Sequence, residues 1–205
     1  MGCRLYLVRH GETAWNSAMK FQGHSDVPLS ERGREQARRL AGRLAKNKPA
    51  AFYASDLRRA AETAAILAEP HGLPVETTPF LREMNFGVWE GLTWQEINEQ
   101  HAGLVGCWRR DPLRNRITNG ENLQDLAVRV NETMAQITRR HLGDQEVVVV
   151  SHGGPLRVFI ATLLGMDLNF YWRLRLDNAC LCIVDCGEPG QGILVLFNDC
   201  SHLEE

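Results

Sequence analysis

Two short apolar runs, Leu5-Tyr-Leu-Val8 and Val147-Val-Val-Val150, stop on the same kind of ending. Each gives way to a polar residue, a histidine and a glycine: Arg9-His10-Gly11 after the first, Ser151-His152-Gly153 after the second. Uninterrupted runs of this length, rich in β-branched residues, read as strands covered on both faces, which is the pattern of parallel sheets flanked by helices. In open sheets of that kind, ligands sit outside the carboxyl ends of the strands. If the two strands are parallel neighbours, His10 and His152 face one pocket. An arginine beside a histidine, before a glycine that frees the backbone, suits holding and attacking an anion.

The rest of the chain supplies the helices such a sheet needs. A strand over Arg4–Val8 leads through a loop ending at Pro28 to Ser30, an N-cap with Gly33 in the first turn, and a helix to about Lys46. Its apolar positions Ala37, Leu40, Ala41 and Leu44 recur at helical spacing, and Arg34, Arg38 and Arg39 form a solvated face. Ala50–Ala54 reads as a strand, with Ser55 capping a helix from Asp56 to about Glu69 that Pro70 and Gly72 close; Val75–Thr77 is a brief strand. Between Phe80 and Gly120 the pattern loosens around Trp89, Trp94 and Trp108, with a short helix from Thr93 to about His101. A long helix runs from Glu121 to about His141, with Leu123, Leu126, Val130, Met134 and Ile137 on one side, and an apolar helix runs from Gly153 to about Leu164. Two last strands, about Cys180–Asp185 and Ile193–Phe197, flank a turn at Glu188–Gly192. The alternation of strand and helix predicts a three-layer α/β/α fold on a mostly parallel mixed sheet, with at least one antiparallel strand from the late pair.

Composition narrows the function classes. The chain has 205 residues, 44% hydrophobic and 23% charged, with a formal net charge of −2. A balance this close to neutral excludes an extended nucleic-acid surface, so anion binding has to come from a few focused charges. No apolar run approaches the roughly 20 residues of a membrane helix. The charged strand end arrives within the first ten residues and leaves no room for a secretory leader, so the cytoplasm is expected. Met1-Gly2 suggests myristoylation, but Tyr6 stands where that motif wants Ser or Thr. The cysteines at 3, 107, 180, 182, 186 and 200 show no Cys-x-x-Cys spacing, so neither a metal site nor a cofactor is expected from them. Cys180 and Cys182 share one face of a strand and read as core filling.

A third strand-to-helix junction adds Ser55 and Arg59, one helical turn apart and on one face near the positive helix end. Arg58 points away from that face, toward Glu62, as an exposed ion pair. Arg9 and Arg59 together can grip a phosphate through forked hydrogen bonds.

Leu-Val-Arg-His-Gly-Glu-Thr at 7–13, Asn16, Ser55-x-Leu-x-Arg-Ala-x-x-Thr63, Glu83 in Leu-Arg-Glu-Met-Asn-Phe-Gly, and Ser151-His152-Gly153 resemble the histidine phosphatase superfamily, which includes the cofactor-dependent phosphoglycerate mutases. The motifs occur in order over most of the chain. The resemblance implies a phosphoglycerate mutase-like fold and one such domain over 1–205, with a small cap or substrate region at about 84–120. It implies His10 as the nucleophile that becomes phosphorylated, and Arg9, Arg59 and His152 as the phosphate pocket. Asn16 would hold phosphoryl oxygens, Gln22 and Gly23 border the substrate, and Glu83 would donate a proton to the leaving group. That chemistry suits these residue types. A neutral imidazole, with an ordinary pKa of about 6.5, attacks phosphorus once the incoming dianion is neutralised. Arg9, Arg59 and a protonated His152 would supply charge to the transition state. Glu83 would protonate the departing oxygen and then activate water.

For the leaving group, Asn85-Phe-Gly-Val-Trp-Glu-Gly91, Thr118-Asn-Gly-Glu121 and Trp172–Asn178 resemble the α-ribazole phosphatases of cobalamin nucleotide-loop assembly. The implied substrate is a small phosphorylated metabolite, α-ribazole 5'-phosphate, for a cytoplasmic monomer or homodimer. A broad-specificity phosphatase of the same family is the alternative, then a mutase, because Arg109, Arg110, Arg114 and Arg116 lie in the short cap. A tryptophan among Trp89, Trp94 and Trp108 could stack on a benzimidazole or pack the cap core. Glu121 could contact substrate at the pocket rim or serve the start of its helix.

Overall fold

The computed structural model describes residues 2–187 and 192–204. Its single sheet has six strands: β1 (Cys3–Arg9), β2 (Ala51–Ser55), β3 (Val75–Thr78), β4 (Gln145–Ser151), β5 (Leu181–Cys186) and β6 (Gly192–Asp199). They lie in the order β3-β2-β4-β1-β5-β6. The first four are parallel, while β5 and β6 join antiparallel beside β1. The expected layered fold and late antiparallel pair are therefore present. Most of the expected turn at 188–192 lies outside the described residues.

The valine run shows why the sheet is covered twice. Val148 and Val150 face a cluster with Tyr6, Val8, Phe52, Leu40, Leu44 and Leu67, under α2 (Glu31–Leu44) and α3 (Arg58–Ala68), which follow the one-turn helix α1 (Ala14–Ser17). Val147 and Val149 face the opposite cluster with Leu5 and Leu7, beneath Leu126, Val130, Met134 and Ile137 of α6 (Leu123–Arg140) and Leu156 and Ile160 of α7 (Gly153–Leu163). Successive strand residues point to opposite faces, so four valines in a row serve both helical layers. Ser30 caps α2 through the Gly33 amide, as its sequence indicates. A capping box of Asn122 and Asp125 opens α6. Among the described residues, no helix is long and apolar enough to cross a membrane.

The start of α3 differs from expectation. Ser55 ends β2 and is fully buried, Leu57 stays extended, and the helix begins at Arg58. The Arg58 amide is capped from another loop, by Asp26 Oδ1 at 2.7 Å, and Ser55 Oγ accepts from the Leu57 amide at 3.3 Å. Burial of Leu57 and the ion pair of Asp56 with Arg82 hold these two residues out of the helix. The expected Arg58–Glu62 pair is absent as well, because Arg34 Nε of α2 reaches Glu62 first, at 2.6 Å.

Between β3 and α6 the chain makes an excursion with a short helix α4 (Trp94–Gln100), as expected, and a second one, α5 (Ala102–Arg110), that was not. Trp89 is 0% exposed and packs edge-on against Trp94 and Trp108, with ring centroids at 6.4 and 5.6 Å. It joins the cluster that includes Leu7 and Val149. Of the two roles open to Trp89, packing is the one its burial permits. Trp89→Ala is expected to cost about 3–5 kcal/mol, read as a lower denaturant midpoint. A Trp89→Ala protein of unchanged stability and raised KM would restore a stacking role.

Candidate active site

The β1–β4 register pairs Arg9 with Ser151, and the His10 amide donates to the Ser151 carbonyl at 3.0 Å. The two histidines therefore leave neighbouring parallel strands at the same height. Their rings meet edge to face with centroids 5.0 Å apart. A cavity of about 200 Å³ opens beside His10, lined by Arg9, Asn16, Gln22, Arg59 and Glu83 together with Met19, Lys20, Phe21 and Phe86.

The hydrogen bonds set both tautomers. His10 Nδ1 lies 2.7 Å from the Gly11 carbonyl, which only accepts, so this nitrogen carries the proton and Nε2 keeps a free lone pair. His152 Nδ1 accepts from Arg59 Nε at 3.2 Å, so its proton sits on Nε2, which is buried without a partner. Burial first, then the charges of Arg59 and Arg9, push His10 well below the ordinary histidine value. Burial and Arg59, with smaller effects of His10 and Arg9, do the same to His152. In this arrangement His152 is neutral, because an imidazole accepting from a guanidinium carries one proton; the expectation of a protonated His152 concerns the transition state.

The guanidiniums are held by backbone. Arg59, itself fully buried, donates to the Ser25 carbonyl at 2.8 Å and the Gly23 carbonyl at 2.7 Å, and burial lowers its pKa to about 10, still charged at neutral pH. Arg9 donates to the Leu176 carbonyl at 2.7 Å, and its buried Nε has no partner. Arg9 Nε and His152 Nε2 are thus buried, unused donors on residues that flank His10. Asn16 is locked in a capping box with Thr13, and its Oδ1 accepts from the Thr13 amide and Asn178 Nδ2. Its Nδ2 is left as a donor. Gln22 Oε1 lies 3.0 Å from Thr13 Oγ1, leaving its Nε2 in the same position.

Glu83 reaches the cavity from the loop after β3. Its carboxylate accepts from the Met84 amide at 2.8 Å and from the Gly154 amide, at the start of α7, at 3.1 and 3.2 Å. A Cβ on Gly154 would collide with Glu83 Oε1, so the second glycine after His152 is the one this contact requires. Gly153 has ordinary room, with its nearest neighbours on Arg157 and Arg9. Gly23 adopts φ +52 and touches Glu90, whose carboxylate accepts from the amides of His24, Ser25 and Phe86.

Of the expected residues, the structure brings together Arg9, His10, Asn16, Gln22, Arg59, Glu83 and His152, with Gly23 and Gly153 as backbone beside them. Ser55 and Glu121 stand apart from the cavity. Ser55 belongs to the β2 terminus, and Glu121 pairs with Arg129 at 2.8 Å. Sequence reading missed Asn178, Glu90, Arg129, Phe21 and Phe86. Asn178 and Glu90 lie within quoted motifs, but only long-range contacts reveal what they hold.

These contacts give a cradle suited to anion chemistry: a free imidazole lone pair, fixed cations and N–H donors around it, and a carboxylate beside them. Two buried neutral histidines also predict a pH dependence of stability. Each binds a proton in the unfolded chain below pH about 6.5 but not in the native state, so the unfolded state carries the extra protons and stability falls as pH drops. The slope should reach ~1.4 kcal/mol per pH unit for each histidine, until pH passes the depressed native values. Urea midpoints of the wild type and of His10→Asn between pH 7 and 5 measure it; equal slopes would contradict a buried neutral His10.

The family model described as histidine phosphatase superfamily (branch 1) matches residues 5–199. Phosphoserine phosphatase 1 of Hydrogenobacter thermophilus is 36% identical over 202 residues, covering 98% of this chain and 95% of the relative. The adenosylcobalamin/alpha-ribazole phosphatase of Escherichia coli is 35% identical over 94% of this chain and 95% of the relative. The solved alpha-ribazole phosphatase of Shigella flexneri superposes with a TM-score of 0.87 at 34% identity, covering 96% of each chain. These relatives are phosphatases of small phosphorylated substrates, and by family model, sequence and fold this chain belongs to the histidine phosphatase superfamily, branch 1.

Proposed function

We propose that the chain is a phosphomonoester hydrolase working through a phosphohistidine at His10, with α-ribazole 5'-phosphate as its substrate. The observation carrying the first part is the His10 tautomer: Nδ1 is tied to the Gly11 carbonyl and Nε2 stays unprotonated beside two buried guanidiniums. The substrate dianion settles against Arg9, Arg59, Asn16 Nδ2 and His152 Nε2–H. His10 Nε2 attacks phosphorus in line, and charge spreading over the equatorial oxygens meets donors already in place. The departing oxygen takes its proton from Glu83. A water then enters, Glu83 accepts its proton, and the phosphohistidine is hydrolysed. Cations and N–H groups of the chain supply the charge stabilisation this route needs, so no metal or cofactor is assigned to it.

The leaving-group assignment has different support. Likeness to α-ribazole phosphatases in sequence and fold favours it. So does an apolar mouth, where Phe21 and Phe86 meet edge-on at 5.0 Å beside Met19 and offer surface to a flat ring. The region at about 84–120 contributes Phe86 and backs this mouth. A relative of 36% identity is named a phosphoserine phosphatase, so a broad-specificity phosphatase is the second reading, with phosphoglycerate mutase after it.

Acid-labile, alkali-stable labelling by ³²P-substrate should appear in the wild type and vanish in His10→Ala, and its persistence would remove His10 from the role. Glu83→Gln should lower turnover of an alkyl phosphate about 100-fold or more while inorganic phosphate inhibits as before. For the substrate, kcat/KM for α-ribazole 5'-phosphate should exceed that for phosphoserine, 3-phosphoglycerate and sugar phosphates at least about tenfold, a difference of about 1.4 kcal/mol in transition-state binding. A flat profile would leave the broad phosphatase, and mutase turnover far above phosphate release would favour the isomerase.

A further inference from the structure

Arg129 lies on α6, outside the cavity, yet its guanidinium makes the densest set of contacts to the Glu83 loop. Nε and Nη2 form a two-pronged pair with Glu121, at 2.8 and 2.9 Å. Nη1 donates to the carbonyls of Phe80 and Arg82 at 2.9 and 2.7 Å, and Nη2 also donates to the carbonyl of Glu83 at 2.8 Å. Glu121 Oε2 completes the grip by accepting from the Asn85 amide at 2.8 Å. The backbone is thus held before, at and after residue 83 by one ion pair whose side chains are only 15% and 17% exposed.

Both partners are ionised in this arrangement. Burial pushes the Glu121 carboxyl up, but the hydrogen bonds and charge of Arg129 pull it down further, to a net value below the ordinary one. The fork suits only arginine. A lysine ammonium is a single point and cannot span Glu121 and three carbonyls at once. His24 Nε2, 3.0 Å from the Glu83 carbonyl, is the only other side-chain group bonded to the Glu83 backbone among the described residues. The Glu83 side chain meanwhile sits between Gly154 and the cavity with little slack, because its contacts with the Gly154 amide leave no room even for a Cβ there. A small shift of the Glu83 backbone would therefore move the carboxylate off the departing oxygen, and proton transfer in the transition state depends steeply on such placement.

We propose that the Arg129–Glu121 pair is the positioning device of the proton donor: it sets Glu83 for protonating the leaving group without touching substrate or the phosphate cradle. The proposal rests on Glu83 being that donor. It also gives Glu121 a role other than substrate contact.

The test exploits the leaving group. A nitrophenolate departs without a proton, whereas an alkoxide needs one, so a misplaced acid penalises only the alkyl ester. The quantity to compare is kcat/KM, which reports formation of the phosphoenzyme and is indifferent to its later hydrolysis. Glu83→Gln, Arg129→Gln, Arg129→Lys and Glu121→Gln are assayed on glycerol phosphate and p-nitrophenyl phosphate, with the inhibition constant of inorganic phosphate as a gauge of the cradle. The expected result is that Arg129→Gln lowers the alkyl-to-aryl ratio of kcat/KM about 30-fold or more, toward the value in Glu83→Gln. Phosphate inhibition should stay within about twofold, and Arg129→Lys should fail to rescue the ratio. Should Arg129→Gln not fold, Glu121→Gln, which keeps an acceptor for the Asn85 amide, carries the same comparison. An equal fall on both esters, or an unchanged ratio in a folded variant, overturns the proposal while a lowered ratio in Glu83→Gln leaves the donor assignment standing. An unchanged ratio in Glu83→Gln itself overturns both.

Discussion

Arg9 and Arg59 are buried together against backbone carbonyls and an imidazole rather than against carboxylates. A buried charge so partnered is expensive, and the surrounding loops exist in large part to make it tolerable. Gly23 and Ser25 turn their carbonyls inward for Arg59, and the 176–179 loop does so for Arg9. Burial, reinforced by the same positive charges, keeps His10 and His152 neutral. The charges that would attract a phosphate dianion thus also help to preserve an imidazole lone pair. A dianion entering beside Arg9 and Arg59 would offset their charge, and the His152 Nε2–H is a donor to it without any change of protonation.

The sheet order makes this concentration of charge possible. Adjacent parallel strands end at one level, so β1 and β4 deliver Arg9, His10, Ser151 and His152 to one place without any long loop. Antiparallel β5 then brings the preceding loop back across the same end. The Ala179 amide meets the Arg9 and His10 carbonyls at 3.0 and 3.2 Å, and Asn178 Nδ2 meets the His10 carbonyl and Asn16 Oδ1 at 3.1 and 3.2 Å. Ala179 adopts φ +56 to do so, a conformation that costs a non-glycine residue about 1–2 kcal/mol. The buried hydrogen bonds to the β1 terminus hold it there. Ser151 Oγ ties the other side, donating to the Leu81 carbonyl at 2.7 Å, which joins the β4 end to the loop carrying Glu83.

Residues whose position follows from a strand end were readable from the chain. His10, His152 and Arg9 sit where an apolar run stops, and a parallel sheet places such stops together. The amphipathic helices were equally plain, because Leu40 and Leu44, or Leu126 and Val130, repeat at the helical period. The failures have a common physical character. Ser55 satisfied every local rule for a cap, but a buried Leu57 and an aspartate from another loop decided where the helix starts. Arg58 and Glu62 had the right spacing, but Arg34 on a neighbouring helix was nearer. Arg129 carries little local signal, since three of its acceptors are carbonyls 46 to 49 residues away and its ion-pair partner Glu121 precedes the helix. Local propensity foretells elements, and it is silent on which side chain from elsewhere will satisfy a given backbone group.

The same distinction explains why the chemistry is more legible than the leaving group. The cradle is built from strand ends and its donors must match a phosphate, so few residue types will serve. The mouth is built from loops, and its apolar surface comes from Phe21 and Phe86, each placed by packing rather than by pattern. Phe21 stacks at 6.0 Å on Trp94, which in turn lies under the Arg109 guanidinium, and Trp89 fills the space beneath. The tryptophans that stand out in the sequence thus act one layer behind the surface a substrate meets. A motif such as Phe86-Gly-Val-Trp-Glu-Gly91 therefore records how the 84–120 region is folded, with Trp89 buried against Phe21, Trp94 and Trp108, more directly than it records a ligand.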